Sequence, residues 1–199
     1  DRTRPARGHP GAVIVVLRFA LVLFGLVLFS AEAMTSLDPS SIAFRIFRDG
    51  QPVGLHVTTI RRDRRKLVVE TRIDVEVRFA FIRLYTYRHR NREEWISDRL
   101  VRFVSETDDN GETYAVDGRA TPAGFETRAG GKRYRVATAV RPASFWDRRV
   151  LQAATLIDTK TGALLDVSIR RGQTEPVATP LGLVQARRYS VSGDLAMDL

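Results

Sequence analysis

Four side chains able to carry proton chemistry fall close together in one stretch: Tyr85, Tyr87, His89 and Glu93. Histidine titrates near neutrality, and a neighbouring carboxylate can orient its ring as a general base. On a strand, residues two apart share a face, so Tyr85, Tyr87 and His89 line up and Glu93 can join them. His89 and Glu93 are therefore the candidate catalytic pair, should the chain be an enzyme. The same run suits a polar ladder more simply, with tyrosine rings covering a sheet and arginine and glutamate pairing across strands.

Other chemistries find less material. After the N-terminal segment only His56 and His89 remain, too few for a three-histidine zinc site. The absence of cysteine removes disulfides, thiolate metal sites and a cysteine nucleophile. Ser144 lacks the Gly-x-Ser-x-Gly setting of a hydrolase elbow. The run Thr107-Asp108-Asp109-Asn110-Gly111 offers hard oxygen ligands, yet the further oxygens and distal glutamate of a calcium loop are missing, and a turn explains it better. No metal and no cofactor is expected. For binding, the candidate ligand contacts are the aromatic residues Tyr85, Tyr87, Trp95, Phe145 and Trp146, whose amphipathic rings suit an apolar cargo with a polar head.

The elements that must position these residues read as strands. Ile73, Val75, Val77 and Phe79 alternate strictly with Arg72, Asp74, Glu76 and Arg78, which is the pattern of a strand with one buried and one wet face. With the run from Phe81 to Trp95 it predicts two long central antiparallel strands. Asp49-Gly50 and Thr159-Lys160-Thr161-Gly162 predict hairpin turns, and Arg61 to Lys66 a charged turn. Pro142 to Trp146 breaks the strand rhythm and is the candidate cover for an apolar concave face. About nine short strands are expected, giving an all-β fold: a single antiparallel, strongly curved sheet or a partly open β-barrel, after an N-terminal hydrophobic signal helix.

Arg2, Arg4, Arg7 and Arg18 precede the apolar run Phe19 to Phe29, which ends in Ser30-Ala31-Glu32-Ala33. This is the layout of a secretory signal peptide over 1–33, cleaved after Ala33, with residues ahead of about Val16 read as upstream sequence. Residues 34–199 then form one β domain, with Leu195 to Leu199 reading as a strand cut short. From 34 onward, 28 Lys+Arg stand against 21 Asp+Glu, that is 32 less four and 23 less two, a balance of +7 carried almost entirely by arginine. The basic residues are spread among acids, so no nucleic-acid partner is expected. Export without cysteine points to a bacterial envelope, periplasmic or secreted.

The chain resembles a known family. Phe44, Asp49-Gly50, Val53-Gly54, Tyr85-Thr86-Tyr87-Arg88-His89-Arg90, Glu93-Glu94-Trp95, Thr107 to Gly111, Ser144-Phe145-Trp146, Gly182 and Ala186-Arg187-Arg188-Tyr189 together look like the bacterial exported proteins of the domain-of-unknown-function family six-one-three-four. The resemblance implies an envelope β-protein and assigns no reaction. The expectation is a non-catalytic protein binding an apolar or lipid-like ligand or an envelope protein. Membrane contact is expected only through an uncleaved signal segment. The alternative is a small envelope enzyme using His89 with Tyr85, Tyr87 and Glu93.

Overall fold

The structure, a computed structural model, describes residues 41–137, 140–180 and 182–199. The signal segment expected over 1–33 lies outside them. Residues 40–199 form one compact unit. Among the described residues every regular element is a strand, apart from one 3₁₀ turn at Arg148–Gln152.

Eight strands follow one another as an antiparallel meander: β1 (Ser41–Arg48), β2 (Gln51–Asp63), β3 (Lys66–Phe79), β4 (Ile82–Ile96), β5 (Arg99–Asp109), β6 (Glu112–Thr121), β7 (Gly124–Ala129) and β8 (Lys132–Val136). Tight hairpins join the long ones. Asp49 and Gly50, and again Asn110 and Gly111, both take positive φ, the backbone that matches the twist of a two-residue hairpin. The central pair is as expected: Ile73 lies opposite His89, Val75 opposite Tyr87 and Val77 opposite Tyr85.

Three expectations are corrected. There is no single sheet, and the eight strands do not close into a barrel. A second sheet follows, built from β9 (Arg141–Pro142), β10 (Thr155–Ile157), β11 (Leu164–Thr179), β12 (Gly182–Gly193) and β13 (Met197–Asp198), in the order β13-β12-β11-β10-β9. The apolar face of the first sheet is thus covered by a second layer instead of by its own closure. The charged run Arg61 to Lys66 is mostly strand: β2 continues to Asp63 and only Arg64-Arg65 turns, because outward-facing charges interrupt no ladder. Gly172 lies within β11, where a register shift between Arg171 and Thr174 absorbs the irregularity.

The core sits where the sheets meet. Val69, Phe103, Trp95, Leu100, Val116, Phe125, Val140 and Ile157 form one cluster, and Val150, Leu156, Val167 and Val191 a second. At about 1.5–3 kcal/mol per large buried apolar side chain, these layers supply the main drive to fold. Ile73, Val75 and Val77 share the inner face but are only half-buried, so the centre of the core lies nearer Val69 and Phe103 than position 77.

Candidate functional site

The inner face of β4 carries a row of unusual polarity: Tyr85, Tyr87, His89, Asn91, Glu93 and Trp95, at two-residue spacing throughout. Tyr85, Tyr87, His89 and Glu93 therefore share a face, as their spacing demands. Two segments of the second layer lie over this row. One is Ser144-Phe145-Trp146, and the other is the β10–β11 hairpin at Asp158 to Gly162.

At one end stands Glu93, wholly buried. Its Oε2 accepts the indole N–H of Trp95 at 3.0 Å and that of Trp146 at 2.8 Å. The two indoles meet edge to face, with ring centres 5.8 Å apart. Burial pushes the Glu93 carboxyl up from its ordinary value, opposed by the Ser144 hydroxyl, the two indoles and the charge of Arg141. Among the described residues no group reaches Oε1 in hydrogen-bonding geometry. Arg141 lies over the Trp95 ring at 5.0 Å and bonds Asp147 at 2.8 Å. Asp147 also caps the 3₁₀ turn through Arg149 N–H, so the segment bearing Trp146 is held on both sides. Phe145, at positive φ, points away into the second core cluster. The space between Trp95 and Trp146 is about 10 Å³, while Trp95 also borders an open hollow of about 270 Å³ with Leu67 and Arg149. These rings lock the layers together around one carboxyl.

In the middle, His89 is 2 % exposed, with Nδ1 2.8 Å from the Thr107 hydroxyl. Burial lowers its pKa to about 4, partly offset by Asp158 and reinforced by His56. The ring is neutral at physiological pH and stacks on Tyr87 at 6.2 Å. Glu93 stands four residues along the strand and bonds the indoles, so it does not orient the histidine. Next to His89, Asn91 is buried beside Thr71 and Ser105, and neither polar atom of its side-chain amide has a hydrogen-bond partner among the described residues. The β10–β11 hairpin is fixed above: Thr127 donates to Gly162 O at 2.6 Å and Ser105 donates to Thr159 O. Gly162 adopts φ +71°, and a Cβ there would come within 2.8 Å of Val116.

At the far end Tyr85 donates to Asp109 at 2.7 Å, and that bond holds the phenol at a pKa of about 12. Lys160 reaches the other Asp109 oxygen at 2.6 Å and lies 4.3 Å from the Tyr114 ring centre. Burial raises Tyr87. The Asp-Asn-Gly run is a turn: Asp108 accepts Gly111 N–H at 2.7 Å. Among the described residues no cluster of acidic and histidine side chains is arranged to hold a metal.

The opposite face of β2 to β5 holds what the sequence did not signal, an open groove of about 1180 Å³. Val53, Leu55, Val57 and Val104 form its apolar floor, and Arg72, Arg88, Arg90 and Arg92 alternate with Glu70, Asp74, Glu76 and Glu106. Most charges are paired, as in Arg92–Glu70 at 2.5 Å and Arg72 with Asp74. Arg90, however, stands opposite Arg72 on β3 and Glu106 on β5, and makes no salt bridge among the described residues. The period-two pattern marked these residues as outward, but a groove depends on how neighbouring strands twist, which no single strand encodes.

Neither a curated protein nor a solved structure matches this chain. A family model does, over residues 44–199, and it spans β1 to β13 apart from the first residues of β1. The chain belongs to the family described as a domain of unknown function (DUF6134).

Proposed function

We propose that this chain is a non-catalytic binding protein that holds an elongated amphiphile, with an apolar chain and an anionic head, in the groove across β2 to β5. One observation carries this: the groove combines an apolar floor of Val53, Leu55, Val57 and Val104 with Arg90, which makes no salt bridge among the described residues and stands beside Arg72, so an anionic head would find a cation to pair with. The methylene stems of the arginines extend the apolar lining. The site so proposed lies on the other side of the sheet from Tyr85, Tyr87, Trp95, Phe145 and Trp146, which are occupied with packing and hydrogen bonds. The basic start, apolar run and Ala-x-Ala ending of the first 33 residues support an exported, periplasmic setting.

The enzyme alternative has less behind it. His89 is buried, neutral and bonded to Thr107, and Tyr85 is held protonated by Asp109. The deciding experiment is titration with lysophosphatidylglycerol below its micellar concentration, followed by native mass spectrometry. One-to-one binding that weakens in Arg72→Gln/Arg90→Gln is expected. Equal binding by parent and variant would refute the groove assignment.

A further inference from the structure

The β3–β4 hairpin ends in a run that a soluble tip would not require. Phe79, Phe81, Ile82 and Leu84 are all exposed, Phe79 by 72 % and Phe81 by 90 %. Pairing of β2 with β3 stops at Gly54↔Val75, and that of β4 with β5 at Tyr87↔Asp109. Beyond these points the two strands pair only with each other, so the apolar residues sit on a narrow finger projecting from the sheet. At its base Arg78 lies directly opposite Arg83. Glu76 is the acid there, bonded to Arg78 and held below its ordinary pKa first by that bond and then by the charges of Arg78, Arg83 and Arg88. Arg88, further in, has Asp74 and Asp108 opposite it, so the collar proper is Arg78 and Arg83 against Glu76, a positive balance with the two arginines as cross-strand neighbours. Phe47 closes β1 at the same end of the meander and adds a further exposed ring, beside Arg48, which pairs with Asp49.

We propose that this finger docks the protein on an anionic phospholipid bilayer. Phe79, Phe81, Ile82 and Leu84 enter the boundary between headgroups and acyl chains, and Arg78 and Arg83 pair with lipid phosphates. Charge complementarity singles out this occupant: an apolar tip above a basic collar is the order of layers that a bilayer surface presents. Size argues the same way. Exposed by 72 %, 90 %, 53 % and 57 %, Phe79, Phe81, Ile82 and Leu84 amount to fewer than three full side chains; at about 150–250 Å² for each they present on the order of 500 Å², short of the roughly 800 Å² per partner of a stable protein interface. An area of that size gives weak, reversible attachment that depends on the arginines as well. Membrane contact is thereby extended from the signal segment, where the sequence confined it, to the folded domain. The groove runs up to this collar and takes in Glu76 and Arg88, but Phe79, Phe81, Ile82, Leu84, Arg78 and Arg83 lie outside the groove.

The test uses the full chain with Phe81→Trp and reads its emission as the difference from the parent, whose Trp95 and Trp146 lie away from the tip and supply the background. Vesicles of equal phosphatidylglycerol and phosphatidylcholine should shift its emission to the blue, and brominated acyl chains should quench it. Pure phosphatidylcholine vesicles should do neither. Adding Arg78→Gln/Arg83→Gln should weaken binding roughly 25-fold, since each basic residue near an anionic surface contributes about fivefold. Unchanged emission with anionic vesicles overturns the proposal. So does a blue shift that grows with protein concentration without lipid, which would make the occupant a second copy. Equal binding to neutral and anionic vesicles would remove the role given to the arginines. Loss of amphiphile titration in the groove variants, with docking intact, would separate failure of one proposal from failure of the other.

Discussion

Acid should destabilise this protein in part through His89. The unfolded side chain titrates near 6.5, whereas the buried ring against Thr107 titrates near 4. Between those values the unfolded chain binds the proton and the folded one does not, so stability is present above pH 6.5 and falls as pH drops. At about 1.36 kcal/mol per pH unit, going from pH 7 to pH 4.5 removes about 2.4 kcal/mol. His89→Asn keeps an amide that can bond the Thr107 hydroxyl and has nothing to titrate. Urea unfolding of parent and variant at both pH values gives the difference directly, and contributions common to both proteins, including that of Glu93, cancel. The parent should lose about 2.4 kcal/mol more than the variant over this range. Equal losses would show that His89 is solvated or charged in the fold, and the packing of the β10–β11 hairpin over β4 would then be wrong.

Further outcomes follow from the same row. The chain has two tryptophans, and both donate to Glu93, so indole emission should show one transition above pH 4.5 that disappears in Glu93→Gln. The Glu93 pKa is raised on folding, so its contribution to stability is complete below about 4.5 and is lost as pH rises through the folded value. Urea midpoints between pH 5 and 9 should therefore fall less in Glu93→Gln than in the parent. Asn91→Leu exchanges an amide lacking partners for an apolar group of similar size, and should leave stability unchanged or raise it by about 1 kcal/mol; a loss above about 2 kcal/mol on thermal unfolding would mean that the amide is bonded after all. Gly162→Val combines a strained φ with a clash against Val116, and should lower stability by about 1–3 kcal/mol while leaving the first-sheet amides protected from hydrogen exchange.

Local features carried most of what the sequence disclosed. The alternation around Ile73 to Phe79, the Asp49-Gly50 turn and the shared face of Tyr85, Tyr87 and His89 depend on neighbours a few residues apart, and strand geometry turns them into structure without outside help. The second sheet was not legible, because nothing in β9 to β13 states which layer those strands join. The partners of Glu93 illustrate the limit. Trp95 is two residues away, but Trp146 arrives from 53 residues further along the chain on a segment held by Asp147 and Arg141. Its aromatic character was visible, and its hydrogen bond was not. The two opposed arginine pairs, Arg72 with Arg90 and Arg78 with Arg83, appear only once the register of β3 on β4 is known.

The binding proposal meets its most direct trial in native mass spectrometry of the protein taken from a bacterial envelope, compared with Arg72→Gln/Arg90→Gln prepared identically. An amphiphile of one-to-one stoichiometry on the parent, absent from the variant, is the expected result. A parent that carries no adduct and takes up no lysophosphatidylglycerol when it is supplied would contradict it.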